Sequence, residues 1–111
     1  MGRKNRPRKV TDYETAFPCA GGVGILREEV WMDEEGKVVR YNLAFIVSHL
    51  TFADNGRILG FDNAHGIHER HFMGEVRTVE YESFPATARR FYREVEAIRR
   101  SYEGQGFHRR I

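Results

Sequence analysis

Apolar and polar positions change period several times along the chain, and each change marks an element. Residues 24–32 interleave Ile25, Leu26, Val30, Trp31 and Met32 with Arg27, Glu28 and Glu29, a strand-like composition. Asp33-Glu34-Glu35-Gly36 then reads as a turn. Residues 37–50 start mixed and become apolar throughout at Leu43-Ala44-Phe45-Ile46-Val47, which predicts a strand whose middle is covered on both faces. Asp54-Asn55-Gly56 is a hairpin signal, because these residues tolerate positive φ. Residues 57–62 form a short returning strand with Leu59 and Phe61 on one face. Residues 63–70 have no consistent period and read as a loop, and residues 71–81 read as a final strand anchored by Phe72, Val76, Val79 and Tyr81.

The last element is a helix. Ser83 suits the N-cap and Pro85 the first turn, where a missing N–H costs nothing. Phe84, Ala88, Phe91, Tyr92, Val95, Ile98 and Tyr102 recur at spacings of three and four, and Gly104 and Gly106 end the pattern. The expected fold is therefore α+β: an antiparallel meander of about four strands packed against one C-terminal amphipathic helix. Residues 10–22 show only weak periodicity, with 17–22 read as a loop. Residues 1–9 read as a flexible basic tail, and 10–111 as a single domain.

Composition narrows the class. A chain of 111 residues that is 41% hydrophobic holds one modest core. No apolar run reaches the roughly 18 residues of a membrane span, and no apolar stretch follows the basic start as in a secretory signal. One cysteine, Cys19, excludes an internal disulfide framework and a thiolate-rich zinc site, so a cytoplasmic setting without membrane contact is expected. Charge is unevenly spread: residues 2–9 carry +5, residues 10–83 carry −7 and residues 84–111 carry +4. Two basic ends flanking an acidic body suggest contact with phosphate.

The candidate chemistry lies in Phe61-Asp62-Asn63-Ala64-His65-Gly66-Ile67-His68-Glu69-Arg70-His71, which gathers three of the five histidines. Imidazole titrates near neutrality, so a histidine pair can supply an acid and a base at pH 7. Three readings stand side by side. In a metal-free RNA-cleaving site, one histidine takes the 2′-OH proton, a second protonates the leaving oxygen, and Arg70 steadies the phosphorane. In a metal site, His65, His68 and His71 are ligands, with Asp62 adding an oxygen, although the spacing matches no specific zinc signature. In the third, the loop is ordinary polar surface, and Asp62-Asn63 is turn chemistry. Arg89, Arg93 and Arg100 on the helix mark either solvated surface or a face for RNA or a partner.

The run from Gly56 through Asp62-Asn63-Ala64-His65 to Met73-Gly74, followed by a helix opening at Ser83-Phe84, resembles the TumE-type toxins of type II toxin–antitoxin pairs. Asp62, Asn63, His65 and His68 stand in that family's motif, and Arg70 and His71 extend it on chemical grounds. The resemblance implies a growth-inhibiting protein held by a cognate helix-turn-helix antitoxin and acting on RNA. The resulting expectation is a toxin and metal-independent endoribonuclease without cofactor. Its catalytic residues are Asp62, His65, His68, Arg70 and His71, with RNA or partner contacts at Asn63, Arg89, Arg93 and Arg100. Homo-oligomerisation is allowed. The alternatives are a non-catalytic binding or regulatory module and a metal-dependent hydrolase.

Overall fold

The computed structural model describes residues 6–104. Among them six strands form one antiparallel sheet in sequence order: β1 (Arg8–Cys19), β2 (Gly22–Met32), β3 (Val38–Ile46), β4 (Arg57–Asp62), β5 (Glu69–Phe72) and β6 (Glu75–Thr78). A single helix, α1 (Phe84–Gly104), packs on one face. The expected α+β meander with one C-terminal helix is present, extended by two strands.

Both additions have a local cause. β1 lies at the sheet edge and is largely exposed on both faces, so its sequence carries no alternation to read. It begins inside the stretch expected to be tail: Arg8 pairs with Met32 and Lys9 with Trp31. Residues 1–5 of that stretch lie outside the described residues. The expected final strand is instead a hairpin, because Met73 and Gly74 both take positive φ, +50° and +89°, and reverse the chain. As a result Glu69 and Arg70, expected in a loop, belong to β5.

Alternation decides what each face carries. Tyr41, Leu43 and Phe45 of β3 and Leu59 and Phe61 of β4 point toward α1 and meet Phe91 and Val95, and all of these are buried. Phe61 and Phe91 meet edge to face at 6.3 Å. The helix starts where expected: Ser83 Oγ accepts from Ala86 N at 3.2 Å. Tyr92 departs from the expected stripe; its ring is half exposed and its hydroxyl donates to Glu28 at 2.7 Å. On the other face Ala44, in the middle of β3, is buried beside Gly60. Residues 47–56 form a connection closed by Val47 N donating to Gly56 O at 2.9 Å, with Val47 and Leu50 packed into the core. Asp54, Asn55 and Gly56 all take positive φ within it, as their types allow.

Candidate metal centre on the uncovered sheet face

The register places three donor side chains side by side. Asp62 pairs with Glu69 across β4 and β5, and His71 lies two residues further along β5, opposite Gly60. Residues two apart on a strand share a face, so Asp62, Glu69 and His71 all rise on the side away from α1. Their donor atoms lie within 4.8 Å of one another. His71 Nε2 is 3.1 Å from Asp62 Oδ2 and 3.7 Å from Glu69 Oε1.

The two oxygens of Asp62 have separate tasks. Oδ1 accepts from Ala64 N at 3.1 Å, closing the turn expected at Asp62-Asn63. Oδ2 faces His71, with Arg57 Nη1 at 3.3 Å. His71 is only 8% exposed, and its Nε2 is buried without a hydrogen bond, because neither neighbouring oxygen lies where an N–H would point. A buried polar atom left this way costs about 1–3 kcal/mol. A divalent ion between the three donors removes that cost. Ligand distances of about 2.0–2.2 Å place neighbouring donors roughly 3.0–3.6 Å apart, so the 3.1 Å pair already has that spacing and the 3.7 Å pair would draw in slightly. On the far side of the ring, Nδ1 is 3.5 Å from Asp54 Oδ2, the carboxylate–histidine arrangement that orients metal-bound imidazoles. His65 stands at the rim, exposed, with Nδ1 3.5 Å from Glu69 Oε1.

The remaining expected residues are elsewhere, and this corrects the metal-free mechanism. His68 lies on the helix side of the sheet, stacked on Tyr81 with ring centroids 3.8 Å apart and 2.8 Å from the Tyr41 hydroxyl. Burial, then the neighbouring charges of Tyr81 and Asp62, pushes the Tyr41 hydroxyl pKa up. Arg70 alternates to the helix side as well, where its Nε and Nη2 donate to Glu94 Oε1 at 3.0 and 2.7 Å. His65 and His68 therefore cannot flank one phosphate, and Arg70 cannot steady a phosphorane between them. The donors that do converge form a metal-ligating set, so the metal-independent endoribonuclease is overturned.

Asn63 acts as a strand extension. Its Oδ1 accepts from Tyr41 N and its Nδ2 donates to Val39 O, each at 3.0 Å. Arg89, Arg93 and Arg100 are exposed on α1, across the sheet from the metal set, and Arg100 pairs with Glu96 at 3.4 Å.

Glu69, Asp54 and Arg57 are the site residues that sequence reasoning missed. The signal for Glu69 was its spacing of two from His71, which has meaning only once β5 is known to begin at 69. Comparison with protein-family models, curated proteins and solved structures returned no match. None of them lends support to the expected resemblance to TumE-type toxins. No helix among the described residues is long and apolar enough to cross a membrane.

Proposed function

We propose that this chain is a metal-dependent hydrolase whose divalent ion is held by Asp62, Glu69 and His71. The observation that carries the reading is the buried His71 Nε2, without a hydrogen bond, facing two carboxylate oxygens. Two oxygens and one imidazole suit Mn²⁺ or Zn²⁺ better than soft ions. Three protein ligands leave coordination positions for water and substrate, as catalytic rather than structural sites do. The ion would supply Lewis acidity and an activated water. Around it, Asp54 orients His71, and the 14% exposure of the Glu69 side chain leaves the ligand set a solvent-facing edge.

The test is titration of the full chain with Mn²⁺ and Zn²⁺ by calorimetry, followed by turnover of bis(p-nitrophenyl) phosphate. One saturable equivalent is expected, lost in His71→Ala and weakened at least tenfold in Glu69→Gln. At one hundred times Kd the ion should stabilise the fold by about 2.7 kcal/mol, which EDTA reverses. Binding that survives both substitutions overturns the site. Binding without turnover of any ester overturns the hydrolase.

A further inference from the structure

Beside the metal set, Arg57 occupies a path that one glycine keeps open. Its side chain crosses Gly60, where a Cβ would stand 2.7 Å from Cδ, 2.8 Å from Nη1 and 2.9 Å from Nε. Two corners of the guanidinium are fixed. Nε donates to Asp54 Oδ2 at 2.8 Å, and Nη1 faces Asn42 Oδ1 at 3.4 Å and Asp62 Oδ2 at 3.3 Å. Among the described residues Nη2 has no hydrogen-bond partner, so two of the five donors remain unused.

Arg57 also lines a concavity of ≈ 450 Å³ on the uncovered face, together with Arg27, Asn42, Asp54, Ala44 and Ile46. Arg27 is spoken for, since its Nε and Nη2 both bond Glu14 Oε1. With Arg27 held by Glu14, the guanidinium that can turn an unused donor to a ligand in this concavity is that of Arg57. A guanidinium locked on two corners and open on the third needs no reorganisation to receive a charged group.

We infer that Arg57 Nη2 and this concavity form the oxyanion-binding corner of the substrate site. The group bound there is a phosphate ester or a carboxylate, held between the guanidinium and the metal. The inference rests on the metal reading above, because Arg57 contacts the same Asp62 oxygen that ligates the ion. The rival explanation is that Arg57 only neutralises Asp54 and Asp62. The two differ in anion binding: on either reading, removing a cation beside a ligand carboxylate leaves Mn²⁺ affinity unchanged or higher, but only an oxyanion site loses its anion with Arg57.

The experiment titrates methylphosphonate and, separately, acetate into the Mn²⁺-loaded full chain. Wild type should bind one of the two, and the stronger of them names the substrate class. Arg57→Gln should bind that anion at least tenfold more weakly while holding Mn²⁺ as tightly as wild type or more tightly. Arg57→Lys, which keeps the charge but not the fork, should hold Mn²⁺ normally and still lose most anion binding. Mn²⁺ binding without anion binding overturns the oxyanion corner and leaves the metal reading standing, as does anion binding undiminished in both variants. No Mn²⁺ binding to wild type removes both.

Discussion

Arg70 separates a structural role from a catalytic one, because its substitution should change melting and leave the metal site alone. Arg70→Ala removes the two bonds to Glu94 Oε1, while Arg90 Nε keeps its own bond to Oε2 at 2.7 Å. The side chains of Arg70 and Glu94 are 24% and 22% exposed, between the surface pairs worth about 0.2–1 kcal/mol and buried pairs whose breaking costs about 3–5. Glu94 is not orphaned, so the loss falls toward the lower end, about 1–1.5 kcal/mol. For a domain near this size that lowers Tm by roughly 4–10 °C. The effect also has a pH signature. Burial raises the Glu94 carboxyl pKa, but hydrogen bonds from Arg90 and Arg70 outweigh it and hold the group below its ordinary 4.5. A depressed folded-state pKa contributes stability above the ordinary value and loses it as pH falls through the folded one. The gap between wild type and Arg70→Ala should therefore be constant above about pH 5 and close as pH falls through the depressed folded-state value. Thermal melts followed by circular dichroism from pH 3 to 8 measure it, with Mn²⁺ titration as the control. An Arg70→Ala protein that melts like wild type yet loses activity would refute the placement of Arg70 on the helix side.

Phe91 is fully buried against Phe61, so Phe91→Ala should cost about 3–5 kcal/mol in urea denaturation, and a loss below 1 kcal/mol would contradict the core described. His68→Ala should cost about 1–2 kcal/mol through its stack on Tyr81 and its bond to Tyr41, while Mn²⁺ affinity stays within twofold of wild type. A tenfold fall in Mn²⁺ affinity would return His68 to the site.

The helix and the central strands were legible because one period dominates each. Phe91 and Val95 repeat at four, Leu59 and Phe61 at two, and both patterns end in the core. The site was legible only as a neighbourhood. The stretch from Asp62 to His71 does contain the candidate ligands, but which residues meet depends on register, and a one-residue slip in a strand exchanges its faces. Reading β5 from 71 instead of 69 hid the pairing of Asp62 with Glu69 and left Arg70 and His68 in the same imagined cluster as His71. Asp54 and Arg57 were hidden for another reason. Their turn and strand were read for shape, and nothing local says that the connection before β4 brings a carboxylate back to His71.

The uncovered face is more ordered than solvated surface, and hydrogen-bond chemistry shows why. Lys9 Nζ donates to Glu29 Oε2 at 2.8 Å, Asn42 Nδ2 donates to Glu29 Oε1 at 2.9 Å, and Arg57 Nη1 approaches Asn42 Oδ1 at 3.4 Å. A carboxylate only accepts and a guanidinium only donates, so Asn42 between them has one orientation that satisfies both. The Asn42 amide, then Lys9, holds the Glu29 carboxyl below its usual range, which keeps it an acceptor well into acid. Arg57 at the end of this chain reaches Asp62 Oδ2 at 3.3 Å, so a run of polar contacts extends from the edge strand β1 to the candidate metal set. That linkage sets a guanidinium against Asp62, which is only 6% exposed on a sheet face the helix leaves free. Among the described residues, His71 Nε2 is the buried side-chain atom left without a hydrogen bond, and it faces the two carboxylates with which it would share an ion.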